Sequence, residues 1–168
     1  LDLDETVLSH WSKKANAENA SFKAEIRDEV PAFVDRKTGD STQGKQVEIY
    51  QSSEYIQIRP DFKIFVKKLQ RIPGFKGIVF FTAKEDRSAW SVLNAWQKYS
   101  PEVMEDVIGF YTRNYLRFDK SLKKPSKDLR MFDPSLQHVF LFDDNESRVL
   151  QKELNYKIPK FNADTWYK

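Results

Sequence analysis

The sequence predicts an α/β sandwich: a mainly parallel five-stranded sheet between helices, in a single domain spanning residues 1–168, with a small flap of β-hairpin type inserted at 9–59. Three observations predict it. Short apolar runs of the length of buried strands recur along the chain. Helical periodicity fills intervals between them. The runs end on chemically related residues: an acid pair at Asp2 and Asp4, a hydroxyl at Thr82, and a second acid pair at Asp143 and Asp144. Open parallel sheets bind ligands at the carboxyl ends of their strands, so these residues converge only if the sheet is doubly wound.

In the first run, Leu1, Leu3, Val7 and Leu8 read as a buried strand running out into a turn. Aspartate is depleted in strands, and a carboxylate beside such a run costs free energy unless it is paired or holds a metal. Taken alone, Asp2 and Asp4 equally suit a surface hairpin in which both make turn hydrogen bonds. Residues Ser9 to Lys45 are polar and weakly periodic, with helix expected over Ala15 to Asp28 and turns at Thr38–Ser41 and Gln43-Gly44. Gln46 to Tyr50 and Tyr55 to Arg59 alternate apolar and polar residues, a hairpin of two strands. Trp11, Phe22 and Phe33 are candidates to line a flap, although local packing is the plainer role for singly placed aromatics.

Pro60 is read as opening a helix, because proline favours the first helical position. Phe62, Phe65, Val66 and Leu69 make its apolar face, and Pro73-Gly74 ends it. Ile78 to Phe81 is an all-apolar strand that stops at Thr82, which also suits an N-cap ahead of Glu85 and Asp86. Ala89, Leu93 and Trp96 mark the next helix, ended by Ser100-Pro101, and Val107 to Tyr111 is a further strand. Arg113 to Ser126 is basic and irregular and leads into Lys127-Asp128-Leu129. Val139 to Phe142 is a buried strand running into Asp143-Asp144-Asn145. Asn145 is expected to cap a helix over Glu146 to Leu154, and Ile158 to Phe161 completes the sheet.

Composition bounds the function. Apolar residues make up 40% and charged residues 32% of the chain, and the net charge of +3 is too small to argue for nucleic acid or a membrane surface. No run of eighteen apolar residues exists, so nothing in the sequence reads as a transmembrane helix. Upstream residues are expected, since little of a strand precedes Asp2, and the lack of a signal peptide carries no weight. Cysteine is absent, which excludes a cysteine-nucleophile tyrosine phosphatase and any thiolate zinc site.

Asp2-x-Asp4-x-Thr6 resembles motif I of the haloacid dehalogenase superfamily, Mg²⁺-dependent phosphohydrolases with a Rossmann-like fold. The resemblance implies that Asp2 is the nucleophile and that Asp4 protonates the leaving oxygen, then deprotonates the attacking water. Arg59-Pro60 with its helix and Phe81-Thr82-Ala83 looks like the branch containing the RNA polymerase II C-terminal-domain phosphatases and their small relatives. In that branch a threonine hydroxyl binds a phosphate oxygen, a role carried to Thr82. Its motif III lysine stands in a Lys-Asp-Leu setting, which points to Lys127 with Lys123 and Lys124 as rivals. Asp143-Asp144 resembles motif IV. The implied Mg²⁺ ligands are Asp2, the main-chain carbonyl of Asp4, Asp143 directly and Asp144 through water. Asp143-Asp144-Asn145-Glu146 departs from the Asp-Asn then Ser-Pro of that branch.

The resemblance implies a phosphomonoester hydrolase working through an aspartyl-phosphate. With little room for a lid domain, a phosphorylated protein is the expected partner, phosphotyrosine ahead of phosphoserine or phosphothreonine, as in some bacterial effector phosphatases secreted into a host cell. Neither compartment nor oligomeric state is readable. Two alternatives stay open: a small-molecule acid phosphatase, because the opening run is also similar to motif I of the class C enzymes, and a non-catalytic binding module on the same fold.

Overall fold

The computed structural model describes residues 1–10, 20–30 and 48–166. The fold is mixed α/β, with small parallel and antiparallel sheets. Strands β1 (Leu8–His10), β2 (Phe22–Val30) and β3 (Glu48–Ile58) form an antiparallel sheet of order β1-β3-β2. Helix α1 (Phe62–Leu69) leads to β4 (Ile78–Phe81), then α2 (Asp86–Tyr99), the short α3 (Pro101–Met104) and β5 (Val107–Tyr111), which pairs parallel with β4. A small hairpin of β6 (Arg117–Asp119) and β7 (Lys124–Ser126) follows. Strand β8 (Leu141–Asp143) pairs parallel with β9 (Asn155–Lys157), and α4 (Ala163–Trp166) closes the described chain.

The predicted five-stranded sheet is not formed as one regular ladder. It consists of two parallel pairs, β5-β4 and β8-β9, with the extended Leu1–Leu3 segment between them. Leu1 N donates to Val79 O at 2.8 Å and Leu1 O accepts from Phe81 N at 2.8 Å, the staggered pattern of parallel neighbours. On the other side Asp2 N donates to Phe142 O at 2.9 Å. Three backbone bonds therefore hang the acid pair between the ends of β4 and β8.

Several expectations need correction. The helix read over Ala15 to Asp28 is overturned by β2: from Phe22 to Val30 the chain is a strand, and residues 15–19 lie outside those described. A period of two (Phe22, Ala24, Ile26, with Ala24 buried) outweighs the helix-forming composition. The two short strands at 46–50 and 55–59 are one long strand, β3, whose hairpin partner is β2. The turns at 38–44 and the aromatics Trp11 and Phe33 fall outside the described residues, as does the side chain of Phe22.

Pro60 does not start α1, because Asp61 adopts a left-handed conformation with φ 64° and the helix begins after it. Arg113 to Ser126 is not irregular but holds the β6–β7 hairpin. The helix expected over Glu146 to Leu154 is replaced by two single 3-10 turns, Glu146–Arg148 and Lys152–Leu154. Between them the backbone is claimed by Lys127, whose N donates to Arg148 O at 2.6 Å and whose O accepts from Leu150 N at 3.0 Å. A helix would need those groups internally. The last strand is β9, not residues 158–161.

The core confirms the apolar faces. Leu3, Leu8, Ile56, Phe62, Phe80, Val92 and Trp96 form one buried cluster. Trp96 lies 5.6 Å from Phe62 and 5.5 Å from Phe80, ring centre to ring centre, so α1, α2 and β4 lock around it. Fully burying a side chain of this kind contributes about 1.5–3 kcal/mol. Leu129, Leu141 and Val149 make a second cluster beneath the Lys127 segment. No helix among the described residues is long and apolar enough to cross a membrane.

Candidate active site

The loop after Leu3 is tight. Leu3 O accepts from both Val7 N and Leu8 N, at 3.0 and 3.1 Å, and Glu5 N donates to Leu8 O at 2.7 Å. Glu5 takes the left-handed conformation (φ 61°) that this reversal requires. Residues two apart on an extended segment share a face, and here Asp2 and Asp4 line one cleft. The same cleft is lined by Glu5, Thr82, Ala83, Lys84, Arg113, Lys127, Asp143, Asp144, Asn145 and Arg148. The structure therefore brings Asp2, Asp4, Thr82, Lys127, Asp143 and Asp144 together. Lys123 is exposed, and neither it nor Lys124 lines the cleft.

Lys127 is 2% exposed. Its ammonium donates to Asp2 Oδ1 at 2.5 Å and to Asp143 Oδ2 at 2.6 Å, and sits 5.9 Å from the centre of the Phe81 ring. Its segment is fixed by the adjoining Asp128, which accepts from Gln151 Nε2, Arg117 and Arg130. Asp143 Oδ1 accepts from Asn145 N at 2.7 Å. Asp144 and Thr6 are bonded twice: the hydroxyl donates to Oδ1 and accepts from the Asp144 amide, both at 3.1 Å. The Thr82 hydroxyl accepts from Lys84 N at 3.0 Å and reaches Asp4 Oδ2 at 3.4 Å. It does not cap α2, whose N-cap residue is Glu85.

Burial pushes the Asp2 carboxyl up to about 6, despite the Lys127 charge and hydrogen bond that pull it down, and Asp143 adds to the rise. Asp144 is also raised by burial, against its bond from Thr6. Asp4 behaves oppositely. Burial would raise it, but the hydrogen bond from His10 and the charges of Lys84 and His10 hold it below the usual carboxylate range. His10 is pushed up to about 9: burial opposes its charge, and hydrogen bonds to Asp4 and Glu54 prevail. Two aspartates two residues apart thus differ in proton affinity, Asp2 holding a proton more tightly than Asp4.

Asp2, Asp143 and Asp144 bring carboxylate oxygens within 4.8 Å of one another, a group that could hold a metal ion. Asp2 and Asp143 share the one buried ammonium and Asp144 is bonded to Thr6, so a divalent cation suits the remaining charge and the all-oxygen donors suit a hard one. Sequence reasoning missed His10, Glu54 and Lys84, which surround Asp4, and gave Thr6 no role beyond the motif, although it holds Asp144. The one available signal was His10 itself, one of only two histidines, six residues after Asp4.

No curated protein matches the chain. The family model of NLI interacting factor-like phosphatases matches residues 1–167, nearly the whole chain and every residue of the cleft. With that match added to a cleft of paired aspartates around a buried lysine, the chain belongs to the NLI interacting factor-like phosphatase family of the haloacid dehalogenase superfamily.

Proposed function

We propose that this phosphatase is a Mg²⁺-dependent phosphomonoester hydrolase that works through an aspartyl-phosphate. The supporting observation is the Lys127 ammonium between Asp2 and Asp143, at 2.5 and 2.6 Å, in the cleft that also holds Asp4 and Thr82. A carboxylate is a competent nucleophile once neighbouring charge is balanced. In the first displacement Asp2 bonds to phosphorus, the ester P–O bond breaks, and Asp4 gives its proton to the leaving oxygen. In the second, Asp4 takes a proton from water, water oxygen bonds to phosphorus, and the Asp2–phosphorus bond breaks to release phosphate. Lys127 offsets charge on the equatorial oxygens, and the Thr82 hydroxyl orients one of them. Asp2, the Asp4 carbonyl, Asp143 and, through water, Asp144 would hold Mg²⁺, which would supply further charge neutralisation.

For substrate we infer a phosphorylated protein side chain, phosphotyrosine ahead of phosphoserine. Between Thr82 and Lys127 the chain provides only α2, α3, β5, a 3-10 turn and the β6–β7 hairpin, none of them a lid domain. A cleft that these elements do not cover suits a side chain projecting from a protein. The setting in which we place it is that of a secreted bacterial effector acting in a host cell, with residues 1–168 as one domain. Release of p-nitrophenol from p-nitrophenyl phosphate, with and without Mg²⁺, tests the chemistry. No metal-dependent release from any aryl or peptide phosphate would leave a binding module as the reading. Matched phosphotyrosine and phosphoserine peptides, compared with sugar and nucleotide monophosphates, test the substrate. A higher kcat/KM on the metabolites than on every peptide would favour a small-molecule phosphatase.

A further inference from the structure

Asp4 is held by more than the cleft's own acids require. Its Oδ1 lies 2.8 Å from His10 Nε2 and 3.5 Å from Lys84 Nζ. Behind both cations stands Glu54, whose Oε2 is 3.0 Å from His10 Nδ1 and 3.4 Å from Lys84 Nζ. The other Glu54 oxygen accepts from the Ser88 hydroxyl at 3.1 Å. These residues come from β1, β3, the loop after β4 and the start of α2, so no single element accounts for the arrangement. Their side chains are 15–31% exposed, too enclosed for water to substitute freely.

We propose that Glu54, His10 and Lys84 are positioning residues for Asp4: Glu54 orients the two cations, and they fix the Asp4 carboxylate toward the leaving oxygen. This rests on the phosphatase reading, in which Asp4 carries the proton. His10 presents one ring nitrogen to each carboxylate, and its Nε2 also lies 3.2 Å from Lys84 Nζ. His10 and Lys84 each lie between the two carboxylates, so removing any one of the four leaves an enclosed polar group without its partner. A proton donor must lie within hydrogen-bond reach of the atom it serves, and a misplacement of about 1 Å costs about 100-fold in rate. Glu54 on β3 and His10 on β1 both belong to the insert, and β1 pairs with β3, so the insert reaches Asp4 through both side chains.

The test is single-turnover phosphoenzyme formation at saturating Mg²⁺ with two esters, p-nitrophenyl phosphate and phenyl phosphate. Nitrophenolate leaves with little help from an acid, whereas phenolate needs its proton. Glu54→Gln and His10→Ala should slow the phenyl ester about 10- to 100-fold. The loss on the nitrophenyl ester should be several-fold smaller, and KM should be nearly unchanged. His10→Gln, which keeps an N–H toward Asp4, should recover part of the loss. Equal losses on both esters, a change in KM alone, or wild-type rates in Glu54→Gln would overturn the proposal. Circular dichroism melts identify any variant that does not fold. If His10→Ala fails there, the near-isosteric Glu54→Gln and His10→Gln decide the matter. Wild-type protein that cleaves neither ester would refute the phosphatase reading, a result distinct from a failure of the positioning role alone.

Discussion

Replacing Asp2 with Asn should make the metal-free protein more stable while abolishing turnover. The Asp2 carboxyl is pushed from its usual 3.8 up to about 6 by burial, so at neutral pH the fold holds a charge it would rather not hold. That distance is worth about 3 kcal/mol, since a tenfold change in proton affinity is worth about 1.4 kcal/mol. The sign follows from proton binding: between pH 4 and 6 the folded state binds more protons at this site than the unfolded state, so stability falls as pH rises. Below pH 4 both states are protonated and the cost vanishes; above pH 6 it is complete. Asn mimics the neutral carboxyl and leaves Lys127 its bond to Asp143. Urea denaturation in chelator at pH 7.5 and pH 4 should therefore show Asp2→Asn more stable by about 2–3 kcal/mol at the higher pH, with the gap closing at the lower. A variant less stable than wild type at pH 7.5, or a gap independent of pH, would refute the reasoning.

Lys127→Met should have the opposite effect. It leaves Asp2 and Asp143 facing each other without their cation, costing about 3–5 kcal/mol at neutral pH. That loss should shrink in acid as Asp2 protonates, and kcat on p-nitrophenyl phosphate should fall by about 100-fold or more. Trp96→Ala, far from the cleft, should cost about 3–5 kcal/mol in urea melts by opening a cavity between Phe62 and Phe80. It should leave KM near wild type at temperatures where the variant remains folded.

Much of the site was legible because its residues sit where short apolar runs stop. Asp2, Thr82 and Asp143 each follow or interrupt such a run, and a strand that ends on a polar rim has few other uses for an acid. Lys127 was legible through its Lys-Asp-Leu setting and not from spacing. What was misread has a common cause: the backbone's bonding partners were distant in sequence. Residues 22–28 have helix-compatible composition, yet β3 offers them a continuous ladder from Phe22 to Val30. Glu146 to Leu154 would make an acceptable helix, but the Lys127 segment takes the carbonyl of Arg148 and the amide of Leu150.

The chain's own pattern determined the α/β class, the apolar faces of α1 and α2, and the order of acid, hydroxyl, lysine and acid. These depend on periodicity and on the local chemistry of strand ends, which neighbouring residues carry. Only the tertiary structure decided which lysine enters the cleft, where Asp2 sits between β4 and β8, and that His10, Glu54 and Lys84 converge on Asp4. Those are meetings of side chains 44 to 125 residues apart in such pairs as His10–Glu54 and Asp2–Lys127. No local preference encodes such a meeting: the fold creates it by burying charges that then have to find one another.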